Sequence, residues 1–310
     1  MSGGLVETSA PAKVILLGEH AVVFGQPAVS VAVGLRLRCH IRPAATSSLN
    51  GQPLLPQNYS YVSACLAKRK AGPTAVTTIS DFPSGSGLGS SAAVTSALLA
   101  ALATSQGGMD QATVAREAFE VESEVQGRAS PIDTSTCTHG GGILVKRERG
   151  DGFLWEMSRD TRRWCVHDLK VPQMTLVIGF TGKSAPTGPL VAKVKRFVDH
   201  STFARDIVEE IGRLTLQGVD LLASGDMEGL GRIMTQDHKL LAILGVSSPE
   251  LDRLVSAVLP YSYGAKLTGA GGGGSMVALT DRPEEVAEII RRKGGQPFIT
   301  VTGVPGVRIE

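Results

Sequence analysis

The chain has 310 residues, of which 31 are basic and 29 acidic, so its formal net charge is +2. This length suits two domains or one large one, with ample material for a buried core. The nearly balanced charge argues against a nucleic-acid partner, because such binding depends on many cationic side chains facing phosphates.

The cysteines and the most apolar segment bear on the compartment. Cys39, Cys65, Cys137 and Cys165 show no C-x-x-C spacing, so they suggest neither a zinc site nor a disulfide framework, and they suit a reducing environment. The most apolar predicted helix, residues 92–103, is too short to span a bilayer. We therefore expect a soluble, cytoplasmic protein with no membrane partner.

The order of predicted elements indicates an α+β fold, because strands and helices do not alternate regularly. Apolar and polar residues alternate over residues 29–42, which predicts a strand with one buried face and one solvent-exposed face that carries three arginines. Other strands are predicted at 13–17, 75–80, 142–146, near Trp155 and Trp164, and at 174–180, 265–268, 275–279 and 298–301. Helices are predicted at 91–105, 111–126, through most of 190–257, and at 283–292.

A glycine-rich run, PSGSGLGSSAA at residues 83–93, leads directly into an alanine-rich helix. Glycine permits positive φ and close backbone approach to a ligand, while the first helical turn offers free N–H groups and the positive end of the helix dipole. The run therefore predicts an anion site suited to phosphate. A tight turn before a buried helix is the alternative. A second glycine cluster at residues 269–274 favours the phosphate site. Consecutive glycines lose much conformational entropy on folding, so their presence implies that backbone without side chains is needed there.

Two common phosphate motifs do not fit. A P-loop ending at Gly182-Lys183-Ser184 would need glycine at position 177, which is Val177. Residues 87–92 match the dinucleotide pattern G-x-G-x-x-[GA], but Asp110, the acid at the expected distance, follows a helix rather than a second strand. The protein-kinase loop and its partner motifs are also absent.

Three segments, in order, resemble the GHMP superfamily of small-molecule kinases, which includes galactokinase, homoserine kinase, mevalonate kinase and phosphomevalonate kinase. They are APAKVILLGEH at 10–20, PSGSGLGSSAA at 83–93 and KLTGAGGGG at 266–274. GEHAVVFG at 18–25 resembles the mevalonate kinases in particular, and the compact length resembles their archaeal or bacterial forms. The resemblance implies an N-terminal mixed-sheet domain (1–170), a C-terminal ferredoxin-like domain (171–310) and an active site in the cleft between them.

The resemblance also implies ATP as phosphate donor, Mg²⁺, mevalonate as acceptor and a homodimer. Ser91 and Glu122 are the implied magnesium ligands, although Ser91 also fits a helix N-cap. Helical periodicity does not separate Glu122 from Glu117 or Glu124, and only the family spacing to Asp133 selects it. The residues implied to bind the phosphates of ATP are Pro83, Gly85, Ser86, Gly87, Leu88, Gly89, Ser90 and Ser91.

The chemistry is assigned by resemblance as well. Asp133 is implied as the general base and Lys13 as its partner, which favours the developing alkoxide. From the residues alone, Asp133 also fits a turn or helix cap, and Lys13 fits an exposed strand residue. The residues implied to contact or close over the substrate are Glu19, His20, Asp133, Thr268 and Gly269.

Three alternative functions follow from the same residues. A kinase for another small alcohol, such as a sugar or homoserine, would share the fold. Diphosphomevalonate decarboxylase also shares it, but its relatives carry a different signature in place of Gly18-Glu19-His20. A binding protein that has lost catalysis is disfavoured by the joint presence of Lys13, Ser91, Glu122 and Asp133.

Overall fold

The computed structural model describes residues 5–55, 60–127, 129–184 and 187–310. The strands of these residues are β1 (Val6–Leu17), β2 (Ala28–Pro43), β3 (Ser48–Leu49), β4 (Gln52–Pro53), β5 (Thr74–Ser80), β6 (Gly142–Lys146), β7 (Phe153–Arg159), β8 (Arg162–Leu169), β9 (Thr175–Phe180), β10 (Gly264–Thr268), β11 (Ser275–Leu279), β12 (Gln296–Val301) and β13 (Arg308–Ile309). The α-helices are α1 (Ser60–Lys68), α2 (Ser90–Ser105), α3 (Gln111–Gln126), α4 (Ile132–His139), α5 (Thr187–His200), α6 (Thr202–Ser224), α7 (Met227–Ile243), α8 (Pro249–Val258) and α9 (Pro283–Arg292).

The first sheet is built around the long strand β2. Strand β1 pairs antiparallel along most of β2, while β6 pairs with the beginning of β2 and β5 with its end. The hairpin β7–β8 extends the sheet beyond β6. Strand β3 runs parallel to β5, so the sheet is mixed, as predicted.

Helix α2 is the buried centre of the helical layer on this sheet. It contacts β1, β2, α3 and α4, and 11 of its 16 residues are buried. Alanines dominate its sequence, so neighbouring backbones can approach on several sides at little cost in helix propensity. The phosphate-loop candidate therefore leads into a helix that the core holds firmly.

The second sheet has the strand order β10-β11-β9-β12 and is antiparallel throughout. Its strands occur in the order β9, helices, β10, β11, α9, β12, which is a ferredoxin-like βαββαβ arrangement. The α+β class and the ferredoxin-like C-terminal part are confirmed. The boundary near Lys170 stays a prediction, and the C-terminal strand β13 returns to pair with β1 in the first sheet.

Most of the predicted elements agree closely with the structure, and two of the differences bear on the residues of the cleft. Strand β1 begins at Val6 rather than residue 13, because pairing with β2 continues to that point. Helix α4, which contains Asp133, was not predicted. It has only eight residues and an almost uniformly buried surface, so it lacks an amphipathic period.

The prediction of a wet face on β2 is wrong over much of the strand. Ser30 and Ala32 are fully buried and Arg36 is 8% exposed. Arg36 donates to Ser9 and to the carbonyls of Pro305 and Gly306. The C-terminal segment that contains Pro305 and Gly306 therefore covers this part of the face, which the alternating pattern predicts to be exposed to solvent.

Two further findings concern the bulk properties. None of the helices in the described ranges is both long and apolar enough to cross a membrane. The four cysteines are buried free thiols.

Candidate active site

A cleft between the two sheets gathers most of the predicted functional residues. Its accessible volume is about 200 Å³. Its walls come from β1, the 83–93 loop, α3 and α4 on one side and from the 268–274 loop on the other. The predicted site residues that line it are Lys13, Glu19, His20, Gly85, Gly87, Gly89, Ser90, Ser91, Glu122, Asp133, Thr268 and Gly269.

The alternating glycines of the first loop all adopt positive φ. The angles are 71° at Gly85, 81° at Gly87 and 76° at Gly89, a region in which glycine carries no steric penalty. Gly89 is the N-cap of α2, and no side chain caps that helix. The N-cap alternative for Ser91 is therefore wrong, and no side chain of the described residues caps the first-turn N–H groups of α2.

Three predicted phosphate-binding residues do not line the cleft. The Ser86 hydroxyl donates to the carbonyl of Pro83 at 2.7 Å. Leu88 is fully buried, and its carbonyl accepts from the Lys13 N–H at 3.0 Å. Pro83, Ser86 and Leu88 thus shape the loop and fasten it to β1.

The two glycine-rich loops touch each other. A Cβ added to Gly87 would lie 3.2 Å from the carbonyl oxygen of Thr268, and one added to Gly274 would lie 3.2 Å from that of Ser86. Bare backbone is needed at both places because a side chain would push the loops apart. The second glycine cluster thus closes the cleft over the first.

Lys13 and Asp133 form the central ion pair of the cleft. Their Nζ and Oδ1 atoms lie 3.0 Å apart. Lys13 is 2% exposed, on the buried strand β1, whereas the Asp133 side chain in the first turn of α4 is 26% exposed. This burial excludes the alternative that Lys13 is an ordinary exposed strand residue. The Asp133 side chain, in contrast, is open to the cleft.

Ser91 and Glu122 lie side by side. Ser91 Oγ donates to Glu122 Oε1 at 3.3 Å, and Gln126 Nε2 donates to the same oxygen at 3.1 Å. Gln126 also contacts the Tyr61 hydroxyl at 2.8 Å. Burial, and after it the nearby Asp133, raises the pKa of Glu122 to about 8. Its hydrogen-bond partners Ser91 and Gln126 are neutral, so a bound cation would favour the ionised form of the carboxyl.

The structure separates the three glutamates that periodicity could not. Glu122 is 4% exposed and lines the cleft. Glu117 pairs with Arg69 at 2.6 Å, and Glu124 is exposed. The hydroxyl of Ser91 and the carboxylate of Glu122 are hard oxygen donors, so they fit Mg²⁺, which takes its remaining ligands from water and phosphate. The described residues contain no group of three or more His, Cys, Asp or Glu side chains placed to hold a metal by themselves.

Glu19 belongs to a buried charged cluster formed with Lys266 and Asp237. Lys266 Nζ bonds Glu19 Oε1 and lies 3.3 Å from Asp237 Oδ2. All three side chains are at most 1% exposed. Two carboxylates share one ammonium group, and burial raises the pKa of both acids. Glu19 Oε2 is buried and has no hydrogen-bond partner among the described residues, while Glu19 itself lines the cleft.

His20 occupies a strained backbone position. Its φ is 60°, which is rare for a residue with a side chain. Nε2 lies 2.9 Å from the carbonyl oxygen of Ala270, so it carries the proton and donates. Burial lowers the pKa of the imidazole, and the neutral ring connects the 18–25 segment to the glycine loop at 269–274.

Thr268 connects the two halves of the molecule. Its Oγ1 accepts from the N–H of Ile15 at 3.0 Å and donates to the carbonyl of the same residue at 3.2 Å. The side chain is 1% exposed. Its hydroxyl therefore fixes the cleft's geometry, and its backbone continues into the closing glycine loop.

Sequence reasoning missed several residues of the site. Gln126 lies four residues after Glu122 and so shares its helix face, a spacing that could have identified it. Asp237 interrupts the apolar stripe of Leu230, Met234 and Leu241, and a polar residue on such a stripe signals a buried contact. For Arg162, which also lines the cleft, the sequence holds no comparable signal.

Comparison with known proteins identifies the family to which the chain is similar. The families described as GHMP kinases N terminal domain and GHMP kinases C terminal match residues 58–141 and 219–295. The chain is 34% identical to a mevalonate kinase of Pyrococcus furiosus, with 98% of each chain covered, and 35% identical to that of Archaeoglobus fulgidus, with 97% of this chain and 99% of the other covered.

A solved structure agrees with these relatives. The mevalonate kinase of Methanococcus jannaschii superposes with a TM-score of 0.78 at 27% identity, covering 97% of this chain and 98% of the other. Both family segments occur in order, and the relatives match along nearly the whole length. The chain belongs to the GHMP kinase family.

Proposed function

We propose that the protein transfers the γ-phosphoryl group of ATP to the 5-hydroxyl of (R)-mevalonate, forming 5-phosphomevalonate and ADP. The observation that carries this proposal is the Lys13–Asp133 ion pair of 3.0 Å in a cleft lined by the glycine loop and by Glu19 and His20. The similarity to full-length mevalonate kinases supports the acceptor.

The proposed chemistry assigns one task to each part of the cleft. Backbone N–H groups of the loop from Gly85 to Ser91 hold the phosphates of ATP. Ser91 and Glu122 hold Mg²⁺, which neutralises phosphate charge and helps to align the γ-phosphoryl group. Both assignments rest on the loop's positive φ angles and on the buried oxygen pair described above.

Asp133 and Lys13 act on the acceptor hydroxyl. The oxygen attacks the γ-phosphorus, a new P–O bond forms, the bond to the ADP oxygen breaks, and the hydroxyl proton passes to the Asp133 carboxylate. The Lys13 ammonium stabilises the negative charge that develops on the attacking oxygen. Glu19 Oε2, which lacks a partner among the described residues, accepts from the other substrate hydroxyl.

An ADP-release assay across alcohols tests the proposal. With ATP and Mg²⁺, mevalonate should turn over far faster than galactose, homoserine or phosphomevalonate, because a site built for particular hydroxyl groups rejects analogues that leave its buried groups unpaired. Diphosphomevalonate should yield no carbon dioxide. Preference for another alcohol, or decarboxylation, would overturn the named function and leave the family membership standing.

The homodimer implied by the resemblance and the cytoplasmic location predicted from the cysteines and the apolar segments are also part of this proposal. Light scattering on the purified protein tests the first, and fractionation of the source cells tests the second.

A further inference from the structure

The cleft contains a cation that the proposed phosphoryl transfer does not use. Arg162, the first residue of β8, lines the cleft beside His20, Val22 and Val23. This wall is formed by the Ala21–Phe24 turn, and His20 just before the turn contacts Ala270 of the second glycine loop. Arg162 therefore shares the cleft with Glu19 and His20, the residues proposed to contact the acceptor.

The charges in the cleft make Arg162 distinctive. Lys13 and Arg162 are the two Lys or Arg side chains among the described residues that line it, and Lys13 is committed to Asp133. The acidic side chains there are Glu19, Glu122 and Asp133. A negatively charged group on the acceptor is repelled by these acids and attracted by Arg162.

The guanidinium is positioned but not neutralised. Its closest acid, Asp160, lies at 3.7 Å and is 72% exposed, so this contact is weak. The guanidinium carbon lies 5.5 Å from the centre of the Trp164 ring. Trp164 is buried and donates from Nε1 to the carbonyl of Val22 at 3.3 Å. The indole thus orients Arg162 against the turn that follows His20, and the guanidinium has no hydrogen-bond partner among the residues that the structure describes.

We propose that the Arg162 guanidinium binds the carboxylate of the acceptor and selects hydroxy acids over neutral alcohols. This inference rests on the proposed function, since mevalonate carries a carboxylate at the end opposite its reacting hydroxyl. Arginine suits the task because its planar fork matches the two oxygens of a carboxylate. Arg162 is thereby a specificity-determining residue supplied by the β7–β8 hairpin.

Steady-state kinetics with two acceptors test the proposal. The acceptors are mevalonate and 3-methylpentane-1,3,5-triol, in which the carboxylate is replaced by an alcohol. Arg162→Ala should raise the KM for mevalonate about tenfold or more, the scale of one charged hydrogen bond, and leave the KM for ATP unchanged. For the triol the same variant should change kcat/KM less than twofold.

Arg163→Ala is the matched control. Arg163 is the next residue on β8, is 60% exposed, and lies near Glu156 rather than in the cleft. It should behave as the wild type with both acceptors. Arg162→Lys, which keeps the charge without the fork, should give an intermediate KM, and a circular dichroism spectrum establishes that each variant is folded.

The possible results distinguish a failure of the role proposed for Arg162 from a failure of the proposed function. If the wild type uses mevalonate well and Arg162→Ala leaves its KM unchanged, or weakens both acceptors equally, the role of Arg162 is refuted and the proposed function stands. If the wild type does not phosphorylate mevalonate, both fail. If folded Arg162→Ala cannot be obtained, the KM of Arg162→Lys decides, and a value equal to that of the wild type refutes the proposal.

Discussion

At the scale of single residues, the site depends on charged groups that other groups hold in place inside the fold. Lys13 is almost fully buried, and its ammonium contacts Asp133. Glu19 is buried against Lys266, and His20 keeps a positive φ while donating to Ala270. Each arrangement is costly alone, so each indicates a functional constraint.

Asp133→Asn tests the catalytic pair. The amide cannot accept the hydroxyl proton, so kcat should fall on the order of a hundredfold or more, while unfolding in urea should remain cooperative. The exposed Asp151 offers a control, because Asp151→Asn should retain full activity. Turnover of the folded Asp133 variant within a few-fold of the wild type would exclude Asp133 as the base.

Gly89→Ala tests the contact between the glycine loop and the catalytic lysine. The loop sequence suggests that a side chain at 89 would obstruct phosphate, but its Cβ would lie 2.8 Å from Cγ of Lys13. Displacing Lys13 should reduce kcat as well as ATP affinity, and the positive φ should cost roughly 1 kcal/mol of stability.

Gly225→Ala provides the comparison for that variant. Gly225 has a φ of 73° and open space around its Cβ, so it reports backbone strain alone. It should lose similar stability and no activity. Equal kcat values for the two alanine variants would refute the steric link between Gly89 and Lys13.

At the scale of elements, helix α3 presents Glu122 to the cleft, and its other three glutamates do not line the cleft. Glu122→Gln should raise the Mg²⁺ concentration needed for half-maximal activity, and weaken Mn²⁺ binding measured by electron paramagnetic resonance in the presence of ATP. Glu124→Gln should change neither, because Glu124 is exposed. Glu117→Gln should lower stability slightly through loss of the Arg69 pair.

A common response would contradict this assignment. If all three variants shift the metal requirement alike, Glu122 is not a metal ligand, and the oxygen pair that it forms with Ser91 has another purpose.

The buried cluster joining β10, α7 and the 18–20 segment makes stability depend on pH. Burial raises the pKa of Glu19 to about 8. At pH values between its ordinary pKa and about 8, the carboxyl is protonated in the folded state and ionised in the unfolded state, so folding takes up a proton. The contribution is present at lower pH and is lost as pH rises through about 8. Burial lowers the pKa values of His20 and His238, so these two residues act in the opposite direction, and stability decreases as pH falls below about 6.5.

Asp237→Asn isolates the contribution of the cluster. An amide there can accept from Lys266 and removes the excess negative charge, so the variant should lose less stability than the wild type between pH 6.5 and 8.5, by on the order of 2 kcal/mol. Urea unfolding at several pH values measures it, with the exposed Asp220→Asn as control. Parallel pH profiles of wild type and Asp237→Asn would show that the cluster holds no extra proton.

Much of this element-level picture could be predicted, and the failures have physical causes. The alternation along β2 and the glycine run before α2 are local patterns, and both gave the correct elements. Helix α4 was missed because burial on several sides removes the amphipathic period. Arg36 and Lys266 were not recognised as buried, because their partners lie 27 and 247 residues away in sequence.

At the scale of the whole molecule, the cleft depends on the two sheets staying together. Thr268 bonds both backbone groups of Ile15, the two glycine loops touch, and β13 pairs with β1. The family resemblance located most residues of the cleft, since their motifs are local. It did not supply Arg162, because the β7–β8 hairpin reaches the cleft through tertiary packing, which includes the contact of Trp164 with Val22.

The position of the transferred phosphate tests the central claim most directly. Mevalonate, ATP and Mg²⁺ are incubated with the protein, and the product is examined by proton-coupled phosphorus NMR. Transfer to the 5-hydroxyl predicts a phosphomonoester signal split into a triplet by the adjacent CH₂ group, formed in step with ADP and absent with Asp133→Asn. A singlet, which would place the phosphate on the tertiary hydroxyl, or ADP formation without a phosphorylated product, would contradict the account.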